Sequence, residues 1–281
     1  MAGKAYASGV EQYQKLVAEL RAQAIGAAVA TEQIEIAFVA DFELSQRFGT
    51  DTQATMMARA NVLDGIFDSQ VGVTIVPFFQ IFTDSNDPFT ASNASTLLNE
   101  LSTYRRNTPN IRSRGLAHLM TGRALDGNTA GVAFIGALCS VGSGAGLSEG
   151  TGSNTVASLI AAHEIGHNFG APHDAEAGSA CASTPGTFLM NPQINGSTTF
   201  FAVQPGSDPP GGGFRRVRDT RRDGGCRTGR THRDDFGRYE RELQRVDRRE
   251  LRRHGAGEWR HADGDTKFDA HRELAAATTG S

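Results

Sequence analysis

One short stretch, AAHEIGHNFGAPHD at residues 161–174, concentrates residues that can do chemistry. His163, His167 and His173 all fall in it, while residues 1–214 hold one other histidine, His118. Four residues apart on a helix, His163 and His167 share a face one turn apart. Both imidazoles can then reach a single divalent ion at about 2.0–2.1 Å. Glu164 projects about 100° round the helix from His163, beside such an ion rather than onto it. That is the place for a base acting on water. Gly170 can adopt the left-handed conformation that ends a helix and turns the chain sharply. Ala171-Pro172 stiffens the return and brings His173 back to the same ion. Three neutral imidazoles leave a fourth position open, the pattern of a catalytic rather than a structural zinc site. The chemistry implied is hydrolysis of a peptide bond. Zinc acidifies water and polarises a carbonyl, and Glu164 carries the water's proton to the departing amine.

These side chains need elements to hold them, and the hydropathy pattern supplies candidates. QIEIAFVAD (33–41) reads as a buried strand, and GTDTQATMMARANVLDGIFDSQ (49–70) as a helix capped by Asp51 or Thr50, with Met56, Leu63 and Phe67 on one face. VGVTIVPFFQIF (71–82) is a second strand, ASNASTLLNELSTYRR (91–106) a second helix, and GLAHLM (115–120) and AGVAFIGALC (130–139) two further strands. GSGAGLSEGTGS (142–153) lacks the G-K-[ST] ending of a phosphate cradle and is read as a flexible loop beside the substrate cleft. A helix from about Ser153 carries the histidines. This strand–helix alternation predicts an α/β layer with a mostly parallel sheet. Val10, Tyr13, Leu16, Val17, Leu20 and Ala24 predict a linker helix over 9–25. His118 is read as a core or edge histidine.

HEIGHNFGAPHD resembles the HExxHxxGxxHD signature of the metzincin zinc proteases, and Asp174 points to their adamalysin (reprolysin, ADAM-like) branch. TFLMNP (187–192) supplies the Met-turn expected downstream. The similarity extends over about residues 33–200, through VADFELSQRFGTDTQATMMARANVLDGIFDSQVGV and RGLAHLMTGRALDGNTAGVAFIGALCSVG. It implies a metzincin (zincin-like) α/β (α+β) fold: a twisted, mostly parallel sheet with long helices, and the active-site helix and Met-turn in a lower subdomain. It implies that Met190 forms an apolar floor under the metal and is not a ligand. It further implies an extended protein or peptide substrate lying against the sheet's edge, around Ala133–Ala137. Members of the branch often bind calcium away from the zinc. Glu35 stands where one acidic ligand would be, but Gly115 replaces an aspartate, so no calcium is expected.

The rest of the chain is of another kind. Residues 215–281 hold 17 Arg, one Lys and 13 Asp or Glu, a net charge of +5, against −8 for residues 1–214. Three segments follow: 1–31, an N-terminal helical linker; 32–204, a catalytic domain with an incomplete C-terminal end; and 205–281, an Arg/Gly-rich tail expected to be disordered or out-of-frame. The family's ending resembles F-S-x-C-S. One codon choice for Phe201–Pro205, read one base later, restores it after Phe200, so the gene's nucleotide sequence can test the out-of-frame hypothesis. On that hypothesis Cys139 and Cys181 lack their usual partners. Nucleic acid is not the expected partner of the tail, because its acidic residues are interspersed and few aromatics offer stacking. No apolar run is long enough to span a membrane. A secreted, extracellular location is implied by the resemblance, although the chain shows no signal peptide. The rival readings are a zinc-binding but inactive metzincin-like interaction domain and a nucleic-acid binder acting through the tail.

Overall fold

The computed structural model describes residues 32–201, the helical residues Lys15, Leu16, Ala18 and Glu19, and the backbone of Thr228 and Gly229. Most of the 9–25 helix and of the 205–281 tail, with the out-of-frame hypothesis, therefore lies outside the described residues. Leu16 is buried in the main core.

Five strands form the main path of the sheet: β1 (Glu32–Ala40), β2 (Val73–Ile81), β3 (Leu116–Thr121), β4 (Gly131–Ala133) and β5 (Ala145–Glu149). Their spatial order is β2-β1-β3-β5-β4. The first four of that order pair in parallel, and β4 runs antiparallel along the edge. Side chains of a strand alternate between faces, and β1 shows the consequence. Ile34, Ile36, Phe38 and Ala40 belong to one apolar core, Ala37 and Val39 to another. Helix α2 (Thr52–Val71) and helix α5 (Asn154–Asn168) cover the first face, burying Met56, Leu63, Phe67, Leu159 and Ile165. Helix α3 (Ala94–Asn107) covers the second with Leu97, Leu98 and Leu101. Two short helices, α1 (Phe42–Phe48) and α4 (Pro109–Arg112), fill connections. Asn93 caps α3 by accepting the Thr96 amide, and Ser153 caps α5 by accepting that of Val156. No helix among the described residues is long and apolar enough to cross a membrane.

Two expectations are corrected. The Gly/Ser segment 142–153 is not a flexible loop, because Ala145–Glu149 is an inner strand with Leu147 fully buried. Its glycine, alanine and glutamate are of types depleted from strands. They are tolerated because the strand is flanked on both sides. A β-carbon on Gly146 would come within 3.0 Å of the Ala133 Cβ and 3.2 Å of Asn168 Oδ1. The edge strand is Gly131–Ala133, not Ala133–Ala137. The Phe134 amide still bonds to Ala145 O at 3.2 Å, but Gly136, at φ 64°, and Cys139, at φ 62°, turn the residues after it out of the sheet.

Thr228–Gly229 forms a two-residue strand, β6, antiparallel to β1 at Gln33 and Ile34. These positions are open because β3 joins β1 only from Ile36 onward. Cys139 is disulfide-bonded, and Cys181 carries a free thiol. Glu35 is held by Arg114 at 2.5 Å, and Arg114 lies over the Phe78 ring.

Candidate metal centre

Helix α5 is buried almost all round, so its polar residues are conspicuous. His163 and His167 lie one turn apart and meet edge to face, with ring centroids 4.7 Å apart and planes at 86°. The helix stops at Gly170, whose φ of 102° an L side chain rarely adopts. The Gly170 amide bonds to His167 O at 2.8 Å and the Ala171 amide to Gly166 O at 3.0 Å, closing the turn. The chain then doubles back. His173 Nε2 comes to 3.1 Å from His163 Nε2 and 3.0 Å from His167 Nε2.

These short contacts are not hydrogen bonds that satisfy all three rings. His163 Nδ1 lies 2.8 Å from Leu189 O, and His167 Nδ1 lies 2.7 Å from Ala171 O. A carbonyl oxygen only accepts, so both Nδ1 atoms carry the proton and both Nε2 atoms are bare lone pairs. Burial drives the basicity of both rings down, His163 to about 4 and His167 to about 3, so they are neutral at pH 7. His173 Nδ1 faces Glu176 Oε2 at 2.7 Å. A proton on His173 Nε2 could serve one neighbour at most, whereas a cation serves all three. Nitrogens 3.0–3.1 Å apart are spaced as donors to one ion at about 2.0–2.1 Å. The three histidines are the one group of three or more His, Cys, Asp or Glu placed to hold a metal among the described residues.

Glu164 lies next to this cluster, 6% exposed. Burial pushes its carboxyl up to about 8, and a divalent cation alongside works in the opposite direction. Met190 is buried, and its sulfur packs on α5 at Gly166, where a β-carbon would come within 2.7 Å of it. The Asp174 amide donates to Met190 O at 2.9 Å, joining the turn to the segment that carries His173. A cleft of about 530 Å³ opens over the site. Asn128–Gly131 form one wall and Asn191–Ser197 the other, with His163, Glu164 and His173 at the base.

A sequence model of the metallo-peptidase family M12 matches residues 30–201. The chain belongs to that family. It carries an adamalysin-type, ADAM-like metalloprotease domain with the mixed, mostly parallel α/β fold described above. The domain is 32% identical over 163 residues to disintegrin and metalloproteinase domain-containing protein 19 of Mus musculus, covering 56% of this chain and 18% of the relative. It is 30% identical over 162 residues to the Homo sapiens protein of the same name, covering 56% and 17%. With disintegrin and metalloproteinase domain-containing protein 9 of Homo sapiens it shares 28% over 175 residues, covering 60% and 21%. The chain thus spans about a fifth of the length of these relatives. The M12 family implies a metal cofactor.

Several residues of this M12 domain support the cluster without having been singled out from the sequence. The carbonyls of Leu189 and Ala171 orient two of the rings, and backbone groups leave no sequence signal. Asn168 Nδ2 bonds to Phe134 O and Ala145 O at 2.9 Å each, tying the end of α5 to the edge of the sheet. A polar residue inside the apolar helix was its clue. Gln70 donates to Thr198 O and accepts the Phe200 amide, both at 2.8 Å, clamping the far end of the cleft wall from α2. His118 is no part of the site. It is fully buried in β3 with its Nε2 2.9 Å from Ser148 Oγ, and burial lowers it to about 3.

Proposed function

We propose that this domain is a zinc-dependent endopeptidase, with His163, His167 and His173 as metal ligands and Glu164 as general base. The observation that carries the proposal is the His173 Nε2 atom 3.0–3.1 Å from the Nε2 atoms of His163 and His167, both of which are left without protons by carbonyl partners at Nδ1. Zinc held there supplies Lewis acidity, both for the attacking water and for the scissile carbonyl. Glu164 takes the proton of that water on its carboxylate and returns it to the leaving amine. Gly170 bends the chain to deliver His173, and Met190 packs beneath the helix as an apolar floor.

The substrate proposed is a protein or peptide in extended conformation. Strand β4 is at the sheet's edge, paired among the described residues with β5 alone, so its outer backbone groups can add a peptide strand. Gly131 belongs both to this strand and to the cleft wall. The disulfide at Cys139 suits an oxidising, extracellular compartment.

The test is turnover of a generic protein substrate by the full chain and by Glu164→Ala, with bound zinc measured in both. The expected result is equal zinc content and a loss of turnover of about 10²–10⁴-fold in the variant. Removing the metal with a chelator should abolish turnover, and adding zinc back should restore it. Equal turnover by the two proteins would end the proposed mechanism and leave a zinc-binding, non-catalytic domain as the reading.

A further inference from the structure

Of the three rings in the cluster, His173 alone has a side chain on its Nδ1. His163 and His167 use carbonyls fixed by the Met-turn segment and the helix-ending bend, Leu189 O and Ala171 O. His173 lies beyond the bend, in a segment without helix or strand. Its acceptor is Glu176, whose Oε2 is 2.7 Å from Nδ1. We infer that Glu176 is the positioning residue of the third metal-ligand histidine, fixing the tautomer and ring orientation of His173. The inference rests on the metal-centre reading above and adds to it a carboxylate–histidine–metal relay.

The backbone between the two residues is built for this contact. Ala175 has φ 57°, in the left-handed region that a residue with a β-carbon seldom enters. The Ser179 hydroxyl donates to His173 O, and the Ser179 amide donates to Glu176 O at 3.0 Å. Residues 173–179 therefore close on themselves, with the Asp174 amide pinned to Met190 O. Glu176 cannot be a fourth ligand in this arrangement. Its oxygen meets the ring edge opposite Nε2, so the position above the three nitrogens stays open. A carboxylate accepting the Nδ1 proton locks Nε2 as the lone-pair donor and raises its basicity toward a cation. Because Glu176 is about half exposed (48%), water competes for that oxygen, and the effect belongs in the usual range for such partners.

The test uses the full chain stripped of metal and titrated with zinc against a chromophoric chelator, so it does not depend on activity. Glu176→Ala is expected to lower zinc affinity about 10–100-fold. Glu176→Gln, whose amide oxygen can accept the same proton, is expected to restore most of that loss. Circular dichroism and thermal unfolding of the metal-free proteins should be unchanged, and the cobalt-substituted Glu176→Ala protein should show an altered d–d spectrum. Wild-type affinity in Glu176→Ala, or a loss in Glu176→Gln as large as in Glu176→Ala, would overturn the inference alone. Failure of the folded wild-type protein to bind zinc would overturn the metal-centre reading, and this inference with it.

Discussion

A β-carbon on Gly131 would fall 2.7 Å from both Cγ and Oε1 of Glu164, and 2.8 Å from Leu147 O. The edge strand and helix α5 thus approach at the proposed general base with only hydrogen between them. An alanine at 131 must either turn the Glu164 carboxylate or push the strand outward. A displacement of about 1 Å at a reacting group can lower a rate about 10²-fold. Gly131→Ala is therefore expected to reduce kcat by about that factor while zinc uptake stays at the wild-type level. Steady-state kinetics with metal analysis decides this, and an unchanged kcat would show that Glu164 tolerates the shift.

Gly170 does two things at once. Its φ of 102° ends α5, and the turn places Ala171 O against His167 Nδ1 as well as sending His173 back. A β-carbon in that conformation costs about 1–3 kcal/mol. Gly170→Ala is expected to lower stability by that amount and also to weaken zinc binding, because two of the three rings lose their alignment. Urea denaturation of the metal-free protein reads the first effect and zinc titration the second. A variant that loses stability but binds zinc normally would show that the bend serves the fold alone.

How much of this was legible in the sequence depends on where each constraint acts. The histidine spacing reflects local helix geometry, and the bend needs one glycine, so AAHEIGHNFGAPHD was sufficient to bring His163, His167 and His173 together. Strands β1, β2 and β3 announced themselves because they are rich in branched and aromatic residues. Strand β5 did not. Its AGLSE sequence is small and polar because Asn168 and Ala133 crowd Gly146, a tertiary demand that no local pattern expresses. For the same reason the edge strand was drawn too far along: Phe134–Cys139 is apolar, but two positive φ values turn it away. The supports of the rings were least visible. Two are backbone carbonyls and the third, Glu176, is an ordinary acidic residue in a turn.

Asp64 gives a pH signature that is independent of the metal. It accepts the Ile75 amide at 2.7 Å, and burial raises its carboxyl from 3.8 to about 6. The folded state therefore binds this proton more tightly than the unfolded state. Its contribution favours folding at low pH and turns unfavourable as pH rises from about 4 to 6. Two pH units correspond to about 3 kcal/mol. Asp64→Asn keeps an acceptor for Ile75 without a charge. The stability difference between variant and wild type should be flat below pH 4, grow through pH 4–6, and level off near 3 kcal/mol in the variant's favour. Denaturant unfolding across that window measures it, and a difference independent of pH would refute the assignment.

Arg105 is fully buried in α3, and among the described residues no carboxylate pairs with it. Instead its guanidinium donates to Ser140 O at 3.3 Å, Ile111 O at 3.0 Å and Arg114 O at 2.8 Å. Burial lowers its pKa to about 10, which leaves it charged at neutral pH. One planar fork thus holds three carbonyls, one in α4 and two in connecting segments, including Ser140 just ahead of β5. Each buried carbonyl left without a donor costs about 1–3 kcal/mol, and water entering the gap recovers part of that. Arg105→Met is accordingly expected to lose about 3–5 kcal/mol in urea unfolding. Arg105→Lys, with the charge but not the fork, should lose about half as much. Because Arg105 does not line the cleft, kcat measured well below the unfolding midpoint should match wild type for both variants. A loss below about 1 kcal/mol in Arg105→Met would mean that the three carbonyls find water readily, and that the segments leading into β3 and β5 are held by something other than this side chain.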